Sequence, residues 1–120
     1  MKVRLTKQFL FEASHRLDHL APDHPCYNLH GHSYRVEVEI YGEVNEQTGF
    51  LIDYSDIKKA AAPIVALLDH RHLNDIPDLP TTTTEHICRW LWGKLKPSLP
   101  MLSRITIYET HSTSCTYEGE

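Results

Sequence analysis

The chain has 120 residues, 41% of them hydrophobic, with a formal net charge of -4 and an isoelectric point near 6.1. That length suits one domain, residues 1–120, around a single modest core. The acidic balance argues against nucleic acid or a membrane surface as the main partner, though local cations can still hold an anionic small molecule. No apolar run is long enough to cross a bilayer, and Met1-Lys-Val-Arg4 leads straight into an alternating segment, so neither a signal peptide nor a membrane span is expected. Cys26, Cys88 and Cys115 are an odd set without a C-x-x-C pair, which suits a reducing cytoplasm better than a disulfide scaffold.

The first element is a strand from about Val3 to His15. Val3, Leu5, Phe9, Phe11, Ala13 and His15 share one parity, interrupted only by Lys7, so His15 ends an apolar stripe and faces inward. A polar loop from Arg16 to Leu29 follows, irregular because of Pro22 and Pro25 and able to cover a site. The second strand, His30 to Gly42, opens with His30-Gly-His32. Imidazoles at i and i+2 of a strand point to one face, here the face of Tyr34, Val36, Val38 and Ile40. Two inward histidines side by side need paired hydrogen bonds or a metal, and the metal is the better reading. With His15 they offer three neutral imidazoles from adjacent strands, a set that suits a catalytic zinc with an open fourth position. His15 taken alone reads better as a satisfied core or surface histidine, and it is His30 and His32 at the end of the neighbouring stripe that reverse this.

Glu43 to Gly49 is a turn-rich break. Asp53 or Ser55 can cap a helix carrying Ile57, Ala61, Ile64 and Leu68, with Pro63 expected to kink it. Asp69-His70-Arg71-His72 follows at its exit. Asp69 can orient His70 as an acid–base group, or His70 and His72 can simply complement the negative end of the helix dipole. A second helix begins near Thr82, where Thr82-x-x-Glu85 reads as a capping box, and runs through Ile87, Trp90, Leu91 and Leu95 to Pro97. On that pattern Glu85 is a cap. A strand from Arg104 to Thr110 puts Glu109 on the face of Ile105 and Ile107, a costly place for a carboxylate without a partner, unless the strand frays there into water. A short strand around Ser114 to Tyr117 ends the chain. The order β-β-α-α-β-β predicts an α+β domain: an antiparallel β-sheet with two helices on one face, and long outer strands whose open edges invite self-association.

Cys26 lies four residues before His30. Near a zinc its thiol would serve as base or nucleophile. It can also be an inert loop thiol, or a fourth ligand closing a structural site. His30-x-His32 with Glu37 loosely resembles a cupin metal motif, which would imply an iron or manganese oxygenase. In a regular strand, however, Glu37 faces away from both histidines.

Taken together, Phe11-Glu-Ala-Ser-His15-Arg-Leu, Cys26-x-x-x-His30-Gly-His32-Ser-Tyr, Thr48-Gly-Phe-Leu-Ile-Asp53-Tyr, Leu68-Asp69-His70-x-x-Leu-Asn74, Thr83-Thr-Glu85 and Tyr108-Glu109-Thr run nearly end to end. In these the chain resembles the 6-pyruvoyltetrahydropterin synthase superfamily and, within it, the bacterial 6-carboxytetrahydropterin synthases of the queuosine pathway. The resemblance implies zinc on His15, His30 and His32. It implies Cys26 as the thiol that removes a side-chain proton, and Asp69 with His70 as the pair that handles the second. Glu109 would anchor the pterin's N–H pair in a bidentate fork, with Glu85 and the neighbouring Thr84 in the same pocket. The implied substrate is 7,8-dihydroneopterin triphosphate. The carboxy branch yields 6-carboxytetrahydropterin, acetaldehyde and triphosphate; the pyruvoyl branch retains the side chain. The Cys26-x-x-x-His30 spacing resembles the carboxy branch. A zinc-containing pterin binder without catalysis is a further reading, and one in which Cys26 is dispensable. The implied fold is the tunnelling fold, an oligomeric barrel in which two trimers stack into a homo-hexamer with sites at subunit interfaces. Two departures stand out: Thr81 to Thr84 replace the usual Pro-Thr-Ser/Ala run, and Tyr27-Asn28 replace small and basic residues.

Overall fold

The computed structural model describes residues 1–120. Its backbone is a hairpin of two fourteen-residue strands, β1 (Lys2–His15) and β2 (His30–Glu43), paired antiparallel from Lys2↔Glu43 to His15↔His30. After β2 come helix α1 (Tyr54–Ala66), a two-residue strand β3 (Arg71–His72), helix α2 (Thr84–Leu95), and strands β4 (Leu102–Tyr108) and β5 (Ser114–Tyr117). The sheet order is β3-β1-β2-β4-β5, antiparallel except that β3 runs parallel to β1 through Ala13↔Arg71 and Ser14↔His72. The α+β class and the four predicted strands hold; β3 is an addition, too short to carry any periodic signal.

Alternation decides which face is covered. Phe11 and Ala13 of β1, Tyr34 to Ile40 on even positions of β2, and Ile105 and Ile107 of β4 form one core with Ile57, Ala61 and Val65 of α1 and Ile87, Cys88, Leu91 and Leu95 of α2. Both helices therefore lie on one face. The other face carries Arg4, Gln8, Glu12, Arg35 and Glu37 and has no second layer. Glu39, nearly buried there, is paired by Arg4 at 3.3 Å and Arg104 at 3.5 Å. The predicted pair of long outer edges is corrected. β2 lies between β1 and β4, and the far edge is only the four-residue β5. The long open edge belongs to β1, where β3 covers Ala13 and Ser14 alone.

Asp53 is the cap of α1, its side chain accepting from the Ser55 N–H at 2.8 Å. The helix continues through Pro63 to Ala66, so the proline sits in its final turn rather than breaking it. The capping box at Thr82 is also corrected. α2 starts at Thr84 behind Thr83, whose hydroxyl meets His86 Nδ1 at 2.9 Å instead of a backbone N–H. Thr82 is 1% exposed and turns inward to His15. Leu91, fully buried between α2 and the sheet, is a direct test of this packing. Leu91→Ala is expected to cost about 2–5 kcal/mol by denaturant titration; a loss below about 1 kcal/mol would mean that α2 is not seated as described.

Candidate active site

Register sets the centre of the site. His15 pairs with His30 and Ala13 with His32, so all three imidazoles gather at one end of the hairpin, on the helix-covered face. Gly31 permits the close strand approach between the two β2 histidines, since a Cβ there would lie 3.3 Å from the Ala13 carbonyl oxygen. One ring nitrogen from each of His15, His30 and His32 lies within 4.8 Å of the others.

Second contacts fix the tautomers. His15 Nδ1 donates to the Thr82 carbonyl at 2.9 Å, with the Thr82 hydroxyl at 3.2 Å, and His30 Nδ1 donates to the Asn28 carbonyl at 2.7 Å. A carbonyl has no proton to give, so in each ring Nδ1 carries the hydrogen and Nε2 keeps its lone pair. Burial lowers the pKa of His15 from its ordinary 6.5, which favours the neutral, ligating form. Nε2 of His15 and of His32 are buried without any hydrogen-bond partner. Orphaned buried nitrogens are costly, and converging on one point they fit a metal with imidazole preference such as zinc.

Cys26 stands at the mouth of this cluster, in a short 3-10 turn, Pro25–Tyr27. Its N–H donates to His24 Nδ1 at 3.1 Å, and its carbonyl accepts from the Leu17 N–H at 2.8 Å. Arg16 lies over the Tyr27 ring at 4.5 Å, and its backbone is clamped by Asn74 through bonds of 3.0 and 2.9 Å. Tyr27, a departure in the motif, is thereby used to hold the loop.

A cleft of about 180 Å³ joins His15, Cys26, His30, Thr84, Glu85 and Glu109. Glu109 sits one residue beyond β4, its side chain 30% exposed, with Oε1 3.6 Å from His32 Nε2. The carboxylate is thus neither frayed into water nor sealed in the core. Its neighbour Glu85 is a wall of the cleft and makes no capping bond.

Asp69 and His70 are placed elsewhere. The pair itself forms, with His70 Nδ1 3.0 Å from Asp69 Oδ1. It is clipped to the edge of β1, where Asp69 Oδ1 accepts from the Glu12 N–H at 2.9 Å and the His70 N–H donates to the Glu12 carbonyl at 2.6 Å. His70 adopts φ 56°, a left-handed conformation uncommon for a residue with a side chain. It opens onto a cleft of about 530 Å³ with Glu12, Ser14, Ser33 and His72. That cleft shares no lining residue with the one holding Cys26. The expected proton-handling pair is therefore not assembled beside the thiol within one chain. The cupin alternative fails on geometry: Glu37 accepts from Gln8 Nε2 at 2.9 Å on the uncovered face, away from the histidines.

Sequence reasoning missed Thr82, Asn28 and Asn74. A threonine in a Thr run reads as a cap, and a carbonyl has no sequence signal. Asn74 was visible only as part of a motif.

The Glu12 N–H first, and His70 second, hold the Asp69 carboxyl below its ordinary value of 3.8. Its contribution to stability is therefore complete above 3.8 and disappears as pH falls from there through the folded value. A carbon-detected NMR titration is expected to show this depressed value, with His70→Ala restoring only part of the shift. Full restoration would mean that the backbone bond to Glu12 is not the main anchor.

The family model described as 6-pyruvoyl tetrahydropterin synthase matches residues 4–120. A 6-pyruvoyl tetrahydrobiopterin synthase of Dictyostelium discoideum is 37% identical, covering 98% of this chain and 97% of its own. A 6-carboxy-5,6,7,8-tetrahydropterin synthase of Synechocystis sp. is 35% identical, covering 92% and 89%. The solved 6-pyruvoyl tetrahydropterin synthase of Caenorhabditis elegans superposes with a TM-score of 0.91 at 30% identity, over 100% of this chain and 97% of its own. With that coverage and that fold, the chain belongs to the 6-pyruvoyl tetrahydropterin synthase family.

Proposed function

We propose that this chain is a zinc-dependent lyase that converts 7,8-dihydroneopterin triphosphate to 6-carboxy-5,6,7,8-tetrahydropterin, acetaldehyde and triphosphate, as a step toward queuosine. The observation that carries the reading is the convergence of three imidazoles on one point, two of which, His15 and His30, line a single cleft with one thiol and two carboxylates. A zinc ion bound to His15, His30 and His32 would supply Lewis acidity toward the side-chain oxygens of the substrate.

The protein's own groups do the remainder. Glu109 accepts the paired N–H groups of the pterin in a bidentate fork, with Glu85 and Thr84 as further partners at its edge. Cys26 Sγ takes a proton from the substrate side chain. Asp69 accepts from His70 Nδ1, which leaves His70 Nε2 free to handle the second proton. Because that pair opens on a separate cleft, the complete site takes His70 from a second copy of the chain. The small volume of the Cys26 cleft, about 180 Å³ against roughly 300–1,000 Å³ for typical ligand sites, supports the same assembly. The open edge of β1 and the short β5 edge suit a closed homo-oligomer, which we read as a hexamer of two trimers.

The step of four residues from Cys26 to His30 favours the carboxy product. The 37% identity to a pyruvoyl enzyme favours the alternative, 6-pyruvoyltetrahydropterin with the side chain retained. Mass spectrometry of products from the zinc-loaded protein separates them: 6-carboxytetrahydropterin with acetaldehyde is expected, and 6-pyruvoyltetrahydropterin would reassign the branch. Cys26→Ala is expected to lower kcat by about 10²–10⁴-fold with zinc content unchanged. Retained turnover would make Cys26 a bystander, and lost zinc would make it a ligand.

A further inference from the structure

The charge distribution around the histidines points to a second recognition element. Arg4 and Arg104 are paired through Glu39. Arg16, Arg35 and Arg71 have no carboxylate partner, and all three lie at the histidine end of the hairpin: Arg16 follows His15, while Arg35, on the uncovered face, and Arg71 line clefts that reach His32. Arg89, also unpaired, lines a separate cleft with Asp78 and His86. In a chain of net charge -4, leaving cations unpaired at one place is a feature that an anion would explain.

Arg35 is the best prepared of the three. It is the cross-strand partner of Tyr108, and its guanidinium carbon lies 4.1 Å above the Tyr108 ring. Its Nε is buried without a hydrogen-bond partner. Stacking fixes the plane of the guanidinium and leaves its N–H fork uncommitted, the arrangement that suits bidentate recognition of phosphate. The surrounding cleft, of about 420 Å³, is lined by His32, Ser33, Arg35, Glu109, Thr110 and His111. The Ser33 hydroxyl is already given to Glu12 Oε2 at 2.6 Å and the Thr110 hydroxyl is paired with that of Thr113 at 2.7 Å, so the donors open to a phosphate here are the Arg35 fork and the His111 imidazole. Glu109 is the only carboxylate of this cleft, and it also belongs to the cleft that holds Cys26. The two spaces thus meet at Glu109, whose Oε1 lies 3.6 Å from His32 Nε2.

We propose that Arg35, held flat on Tyr108, binds the phosphate tail of the substrate in the cleft between Ser33 and His111. This rests on the pterin-triphosphate reading above. It places the pterin on the Glu85 side of Glu109 and the tail on the Arg35 side, with the reacting side chain across the histidines.

The test uses zinc-loaded Cys26→Ala protein, so that ligands bind without turnover, and reads pterin fluorescence on titration with 7,8-dihydroneopterin triphosphate and with 7,8-dihydroneopterin. Adding Arg35→Gln is expected to weaken the triphosphate about tenfold or more, as loss of a charge-assisted fork should, and to leave dihydroneopterin within about twofold. Arg35→Lys should recover part of the loss, because charge is kept and the fork is not. Equal weakening of both ligands, or of neither, overturns the tail site. Turnover by protein with Cys26 intact tests the lyase reading separately. Tail-dependent binding without turnover would remove that reading alone, and failure of the Cys26→Ala protein to bind either ligand would remove both.

Discussion

The pairing of His15 with His30, and of Ala13 with His32, is the constraint on which the rest of the site depends. Strand side chains alternate with a period of two, so a slip of one residue between β1 and β2 would separate the three imidazoles and turn part of the apolar stripe to solvent. The hydrophobic cost of that slip is what pins the register: Phe11, Tyr34, Val36, Val38 and Ile40 are all 1% exposed or less. Packing that has nothing to do with chemistry thus sets the positions of the three imidazoles. Two main-chain carbonyls, of Thr82 and Asn28, then choose which nitrogen faces inward. Thr82 ties this choice to the start of α2, so helix packing and imidazole orientation are coupled.

Around that centre the fold separates the polar groups. The small cleft beside the imidazoles holds the thiol and two carboxylates. The edge of β1 holds Asp69 and His70, fastened to the Glu12 backbone by two bonds. On the proposed chemistry a single chain carries two separate half-sites, which makes oligomerisation a condition of that proposal and gives the open edge of β1 a use.

Much of this was legible in the residues because it follows period two. The strand stripes ending in His15, His30 and His32 foreshadowed the fold and the gathering of three imidazoles that could hold a metal, and the bounds of β1, β2 and β5 fall within a residue of expectation. Helices were less well bounded. At Thr81 to Thr84 every position has the same capping chemistry, so the pattern could not tell that Thr82 turns inward to His15 and that Thr83 is the cap. β3 escaped because two residues have no period. The separation of Asp69-His70 from Cys26 was invisible for a different reason: motif spacing names residues but does not say on which side of a sheet, or in which copy, they meet. Arg35 was unremarkable on a strand of alternating charge until its stacking on Tyr108 and lack of a carboxylate partner were seen.

The central claim is that the three imidazoles, and not Cys26, hold the metal. X-ray absorption at the zinc edge of the purified protein tests it most directly. The account predicts one zinc per chain with only light-atom scatterers at about 2.0–2.1 Å. A sulfur shell at about 2.3 Å would make Cys26 a ligand, close the site and contradict its role as base; a protein that retains no zinc would contradict the reading of the orphaned nitrogens themselves.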